Sequence, residues 1–369
     1  MASITFGSIV LLLLRACLVS ATTAVPLPAL PGPYAVGTIS LEAIDTKRLD
    51  PYAPTPQPRR LMISAFYPTT DNHHPFAPYL PTALAAAADQ YLGFPPGFLE
   101  QIQTRSYANA RLKEVPDIPV ILFSPGLGSS REASQILLEG IASYGYFVVA
   151  MDHSYDAEIV EFPDGELVFG LGLNGDTLAL ETRTKDTSFV LDQLGNSTFI
   201  QQVPGIVHRK PENNHVAMFG HSLGGATTLQ AMGVDRRIIG GCNLDGPLSS
   251  SQLTTFINRP FLQFGRANHT RFNDPAWEAV WKHLTGWRAE IELANSTHFT
   301  FLDDSAIFTE MGLISTLDPG GTEYGTINGI RATVVEIAYL KGFFDFVFGR
   351  GGDGMLRRPD KKFPEITID

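Results

Sequence analysis

The chain is poor in cysteine, in basic charge and in long apolar runs, and each shortage narrows what it does. Among 369 residues only Cys17 and Cys242 are cysteines, so a large hydrophobic core rather than a disulfide framework must hold the fold. Acidic residues outnumber basic ones, 38 to 27, for a net charge of −11. No basic stretch is interleaved with aromatics, which excludes nucleic acid as a partner, and the negative charge disfavours tight docking on an anionic membrane. No uninterrupted apolar run approaches the roughly 20 residues that span a bilayer, so no transmembrane anchor is expected. Zinc spacing, an oxygen-rich calcium loop and a Gly-Lys-Ser/Thr phosphate loop are all missing, and neither metal nor cofactor is expected. Asp152, His153 and Asp156 lie close together, but His153 has no partner histidine at ligand spacing and the three read as a polar cluster at a loop end.

What is present describes one globular unit with a sizeable core: 44% of residues are hydrophobic and 18% charged. Ile9 to Leu14 is apolar and Ala21 to Ala24 is small, the pattern of an export signal over residues 1–24, although no Lys or Arg precedes it and Arg15 interrupts it. Secretion is therefore expected, with loss of Cys17 and with Asn196, Asn268 and Asn295 as glycosylation acceptors. Asn295 stands close to a residue assigned to catalysis below, which argues against its use. Residues 25–349 read as a single domain, with an insert from Asp71 to Val115 and a loose glycine-rich and charged tail over 350–369. The insert carries Tyr79, Tyr91, Phe94 and Phe98 around Pro95-Pro96-Gly97. It reads either as packing on the domain's own surface or as a cap touching lipid or substrate.

Tyr34 to Asp45 and Arg60 to Tyr67 look like strands flanking a proline-rich loop. Pro119 to Phe123 and Tyr146 to Met151 are unbroken apolar runs, as strands buried on both faces should be, with a helix from Glu132 to Tyr144 between them. Further strands follow at His215 to Phe219, Ile238 to Leu244, Phe261 to Gly265 and Arg288 to Leu293, and helices at Asp274 to Leu284 and Ile327 to Phe348. Glu158 to Phe169 reads as a hairpin turning at Pro163-Asp164-Gly165. Strands alternating with helices imply an α/β architecture, a mostly parallel central sheet of about eight strands flanked by helices on both faces.

The chemistry gathers at Phe219-Gly220-His221-Ser222-Leu223-Gly224-Gly225. A Gly-x-Ser-x-Gly between strand and helix is the signature of a nucleophilic serine on a tight turn, with Gly220 and Gly224 removing side chains that would collide. Serine needs a base, and the base needs a third group to fix its tautomer. His298 comes directly after the last strand, which ends near Leu293, whereas His269 and His283 read as surface residues. For the acid, Asp245 ends the strand after the serine strand; Asp274 is the alternative, but stands before Pro275-Ala276-Trp277 where an aspartate caps a helix. The backbone N–H of Leu223 and, from the glycine-rich loop Ser124 to Ser129, that of Leu127 would form the oxyanion hole.

Together, Ser-Pro-Gly-Leu-Gly at Ser124, Gly-His-Ser-Leu-Gly-Gly-Ala-Thr around Ser222, Leu-Asp-Gly at Asp245 and Thr-His-Phe at His298 resemble the plasma-type platelet-activating-factor acetylhydrolases. Those are calcium-independent phospholipases of the α/β-hydrolase fold. The resemblance runs from about Phe123 to Asp304. It implies Ser222 as nucleophile, Asp245 as acid, His298 as base, Leu127 and Leu223 as oxyanion donors, and a phospholipid or other small ester as substrate, with transient contact to a lipid surface. The Ser222–Asp245 separation matches the family's. Animal members carry His-Gly where this chain has Pro125-Gly126, and cutinases and small polyester hydrolases also have a Ser-Pro-Gly loop. A general carboxylesterase or cutinase-like polyester hydrolase is thus the second reading, and a non-catalytic relative that binds a ligand the third.

Overall fold

Unbroken apolar strands build the centre of the molecule. The computed structural model describes residues 25–114, 118–206, 213–249, 252, 254 and 256–369; the segment read as an export signal, with Cys17, lies outside the described residues. In chain order the first strands are β1 (Val25–Pro26), β2 (Ala35–Leu49), β3 (Pro58–Thr69) and β4 (Phe76–Pro78), followed by helix α1 (Thr82–Leu92) and β5 (Ile102–Ala108). Then come β6 (Val120–Ser124), α2 (Gln135–Ala142), β7 (Phe147–Met151), the hairpin β8 (Ile159–Glu161) and β9 (Leu167–Phe169), and α3 (Thr177–Gly195). The second half contributes β10 (Val216–His221), α4 (Leu223–Val234), β11 (Ile238–Leu244), β12 (Phe261–Arg266), α5 (Pro275–Trp281) and β13 (Arg288–Leu293). It closes with α6 (Asp303–Glu310), α7 (Gly329–Val347) and β14 (Ile366–Ile368).

The sheet runs β1-β5-β2-β3-β7-β6-β10-β11-β12-β13-β14, and its centre from β7 to β13 is parallel throughout. Alternation along each strand divides the core in two. Val120, Leu122, Val149 and Met218 face Leu180, Val190 and Leu229 of α3 and α4. Ile121, Phe123, Val148 and Phe219 face Leu138 of α2 and Leu340 and Phe343 of α7. Both faces being covered, β6 and β7 need no polar residues and read as unbroken apolar runs. The carboxyl ends of the parallel strands therefore share one edge, where functional loops collect. Among the described residues no helix is long and apolar enough to cross a membrane.

Two sequence expectations are corrected. The main sheet has twelve strands rather than about eight, because β1, β4, β5 and β14 come from the stretch ahead of β2, the insert and the tail, segments too short or too polar to show periodicity. The insert extends the sheet edge, with β5 parallel to β2. Its Phe94 and Phe98 stack on each other at 4.5 Å, and Phe94 also meets Phe308 of α6 edge-on at 6.4 Å. The tail is docked rather than loose. Leu356 is fully buried, Trp287 Nε1–H donates to Asp353 at 2.7 Å, Arg331 pairs with Glu365, and β14 adds antiparallel to β13. Two buried apolar residues, Leu356 and Ile366, in a mostly polar stretch are too sparse a signal to read in advance.

The tail also reaches the loop after β13, where the Ala294 N–H donates to the Glu365 carbonyl at 2.8 Å. Leu356→Ala should therefore cost about 2–4 kcal/mol of stability through the cavity it leaves, read as a lowered urea midpoint. An unchanged midpoint would mean that the tail does not pack.

Candidate active site

The turn after β10 is strained in the way its glycines allow. Ser222 has φ 55° and ψ −125°, a left-handed backbone that a non-glycine residue adopts only where its surroundings enforce it. A side chain on Gly224 would put its Cβ 1.9 Å from the Ser124 carbonyl oxygen, and one on Gly220 would lie 2.3 Å from the Gly224 backbone. With both positions bare, β6 and the start of α4 close on the turn and the Ser222 side chain stands at the sheet edge. The Ser222 N–H is held by the Leu244 carbonyl at 2.9 Å.

Asp245 follows β11 and also has a positive φ, 50°. Its turn is closed by Asn243, which accepts the Gly246 N–H at 2.8 Å and donates to the Gly246 carbonyl at 3.0 Å. His298 opens the short helical turn after β13, capped by Thr297 and Thr300. These three loops bring the side chains into one line. His298 Nε2 is 2.9 Å from Ser222 Oγ and His298 Nδ1 is 2.5 Å from Asp245 Oδ2. An ionised carboxylate only accepts, so the ring proton sits on Nδ1 and the Nε2 lone pair faces the serine hydroxyl. Burial alone would raise the Asp245 carboxyl, but hydrogen bonds from His269 and His298 outweigh it and hold the group well below the usual carboxylate range. His221 Nε2–H donates to the His298 carbonyl at 2.9 Å, and burial drives its ring down to about 3, so it stays neutral beside the line.

The loop after β6, expected to supply an oxyanion donor, is built from behind. Leu223 is the first residue of α4, so its N–H has no intrahelical acceptor, and among the described residues neither it nor the Leu127 N–H bonds to a protein acceptor. Arg183 of α3, fully buried, donates to the Pro125 carbonyl at 2.6 Å and to the Gly126 carbonyl at 2.8 Å. Asp156 grips the guanidinium at 2.8 and 2.5 Å. All described peptides are trans, so a Gly126 carbonyl turned toward Arg183 directs the Leu127 N–H the opposite way. Gly126 itself abuts the serine: a Cβ there would lie 3.3 Å from that of Ser222. Beneath the loop runs a second Ser–His–Asp line, Ser124 Oγ to His153 Nε2 at 3.0 Å and His153 Nδ1 to Asp186 at 2.9 Å. All three groups are buried, so no substrate reaches Ser124 and the line serves as scaffold.

The structure thus brings Ser222, His298 and Asp245 into contact and sets Leu127 on the loop after β6 and Leu223 at the start of α4. Asp274 touches neither His298 nor Ser222; it caps α5 through the Ala276 and Trp277 N–H groups at 2.7 and 3.1 Å. His269 is not a free surface residue, since it lies between Asp245 at 2.5 Å and Asp274 at 3.0 Å. Asp152, His153 and Asp156 each face a different partner, respectively Arg131, Asp186 with Ser124, and Arg183. Among the described residues no group of His, Cys, Asp and Glu could hold a metal ion. Arg183 carries no local sequence signal, because its targets lie 58 and 57 residues away in the chain.

Comparison with known proteins points the same way. A family model described as platelet-activating factor acetylhydrolase, isoform II, matches residues 19–162, which include the oxyanion loop but stop before Ser222. The chain is 31% identical over 376 residues to a probable 1-alkyl-2-acetylglycerophosphocholine esterase of Arthroderma benhamiae, with 93% of each chain covered. It is 26% identical over 320 residues to a platelet-activating factor acetylhydrolase of Cavia porcellus, covering 74% of this chain and 67% of that one. A solved ferulic acid esterase from Streptomyces cinnamoneus matches with a TM-score of 0.80 at 32% identity, covering 93% of this chain and 98% of that one.

Arg183→Lys keeps a charge opposite Asp156 but lacks the fork that reaches both carbonyls. Turnover of an ester should fall about tenfold or more while KM stays nearly unchanged, since a misdirected oxyanion donor weakens the transition state and not ground-state binding. Steady-state kinetics below the melting temperature checks this; a fall in stability with kcat intact would leave Arg183 a purely structural residue.

Proposed function

The chain belongs to the platelet-activating factor acetylhydrolase family of carboxylic ester hydrolases, and we propose that it removes short acyl groups from the sn-2 position of phospholipids by way of an acyl-enzyme on Ser222. The observation that carries this is the unbroken line from Ser222 Oγ through His298 to Asp245 at the edge where the Leu223 and Leu127 N–H groups are free. In this reading Ser222 Oγ attacks the ester carbonyl as His298 Nε2 takes its proton. The carbonyl oxygen becomes an oxyanion held by the two N–H groups, worth several kcal/mol in such sites. Collapse breaks the C–O bond, and the lysophospholipid oxygen leaves with the proton from Nε2. A water deprotonated by the same nitrogen then releases the acid and restores Ser222.

The substrate class follows from the relatives' names, and the exposed Leu127, Phe169 and Leu171 support transient contact with a lipid surface. Phe169 and Leu171 flank a strand end tied to the oxyanion loop, with Gly170 bonded to Glu158 and Glu158 to Gly128. The likeness to a ferulic acid esterase supports the second reading, a carboxylesterase acting on other small esters. Secretion is part of the proposal, supported by the apolar segment Ile9 to Leu14 and the small residues that follow it. So is glycosylation at Asn196 and Asn268, which are exposed and, unlike Asn295, lie outside the loop that carries His298.

The test sets purified protein against 1-alkyl-2-acetyl glycerophosphocholine, its long-chain sn-2 counterpart, p-nitrophenyl acetate and methyl ferulate. The expected order places the sn-2 acetyl phospholipid well above the long-chain one, with Ser222→Ala losing about 10³-fold or more on every substrate. Cleavage of methyl ferulate with the phospholipids untouched would replace this proposal by the second reading.

A further inference from the structure

The carboxylate that orients His298 also serves a second histidine, and that histidine is itself held between two carboxylates. Beyond β12 the chain turns sharply, with the His269 N–H on the Arg266 carbonyl at 3.1 Å and the Ala267 N–H on Ser296 Oγ at 3.1 Å. A side chain on Gly265 would sit 2.0 Å from the His269 carbonyl, so the turn is shaped to bring this residue inward. The ring of His269 is only 14% exposed. Nδ1 lies 2.5 Å from Asp245 Oδ1 and Nε2 lies 3.0 Å from Asp274 Oδ2. One face rests on the ring of Trp277, centroids 4.2 Å apart, and Trp277 is pinned through Nε1–H to the Gly246 carbonyl at 2.9 Å. Asp245, His269, Asp274 and Trp277 therefore form a closed circuit around the residue next to the acid.

A neutral imidazole has one N–H and one lone pair. Facing two carboxylates, a neutral His269 would set its lone pair against oxygen lone pairs at one of them. Both carboxyls are held below their usual range: at Asp245 and at Asp274 burial opposes this, and hydrogen bonds, first among them that of His269, outweigh it. The ring that satisfies both contacts is the doubly protonated one, and the electron-rich face of Trp277 favours it further. We propose that His269 is an imidazolium clamped between Asp245 and Asp274, a positioning residue that fixes the catalytic acid and extends esterase activity to lower pH. Burial works against a charged ring, but Asp245 and then Asp274 outweigh it and raise His269 above its ordinary value.

The effect on activity follows from sharing one carboxylate. His298 bonds Oδ2 and His269 bonds Oδ1. A positive charge already seated on Oδ1 opposes a resting proton on Nε2 of His298, which would block proton uptake from Ser222. The other charged and titratable groups nearby are Arg266, Glu290 with Arg271, and His221; burial raises the Glu290 carboxyl, and the charge on His269 partly offsets that. The Arg266 guanidinium is 3.5 Å from Asp245, Glu290 of β13 is paired with Arg271, and the ring of His221 lies 4.5 Å from that of His298 and is neutral. The inference rests on the Ser222–His298–Asp245 reading.

The experiment measures the pH dependence of kcat/KM for wild type, His269→Gln and Asp274→Asn on p-nitrophenyl acetate, with Ser222 labelling by a fluorophosphonate as a parallel readout. Asparagine caps a helix as well as aspartate, so Asp274→Asn keeps α5 and stands in if His269→Gln fails to fold. In either variant the acid limb should move to higher pH by about one unit, the displacement expected on removing a charge from beside a titrating group, while Ser222 is still labelled. A residue that merely packed would lower kcat at every pH and leave the limb in place. An unmoved limb in a labelled variant overturns the proposal and leaves the triad standing; no labelling of wild type at Ser222 overturns both.

Discussion

The site depends on a close approach of backbone. The Ser124 carbonyl at the end of β6 occupies the space that a side chain on Gly224 would need, and Gly220 pairs directly with Ser124 in the sheet. Two adjacent parallel strands thereby deliver the serine turn and the oxyanion loop to the same point. Without that contact α4 could not start where it does, and the Leu223 N–H would not face the same space as the Ser222 hydroxyl. The strain at Ser222 is maintained by this packing and by the bond to Leu244.

Around this contact the protein buries ions, each of which costs several kcal/mol to desolvate unless paired. Every ion at the site is paired, and the pairing is directional. Arg183 is fixed by Asp156 and applied to two loop carbonyls. Arg59 is clamped by Asp50 and Asp186, and Asp186 in turn holds His153 under Ser124. Asp245 takes the Arg266 N–H, His269 and His298. The result is a set of dipoles that needs little rearrangement as charge develops on the substrate, the condition under which electrostatic stabilisation is largest.

How much of this could be read in the sequence depends on range. The serine turn was legible because its requirements are local: a strand, two glycines and a helix within a dozen residues. The strands β6 and β7 were legible as apolar runs because helices cover both of their faces. Asp274 was readable as a cap from the Asp-Pro-Ala-Trp segment, and it does cap α5. Arg183 was not legible, since a buried cation on a helix resembles any solvated one until the loop it holds is known. His269 read as a surface residue because the acid that holds it is 24 residues back in the chain. The strands β5 and β14 carry no sequence signal, because half-buried edge strands have too few apolar residues to show a period.

The central claim is that ester cleavage passes through Ser222 as a covalent intermediate. The most direct measurement is rapid acid quenching of enzyme mixed with sn-2 acetyl phospholipid, followed by mass spectrometry of the peptide containing Ser222. The account predicts one acetyl group on Ser222 early in turnover, lost as the reaction completes and absent in Ser222→Ala. Sustained turnover with no acetyl at Ser222, or with acetyl on another residue, would contradict it.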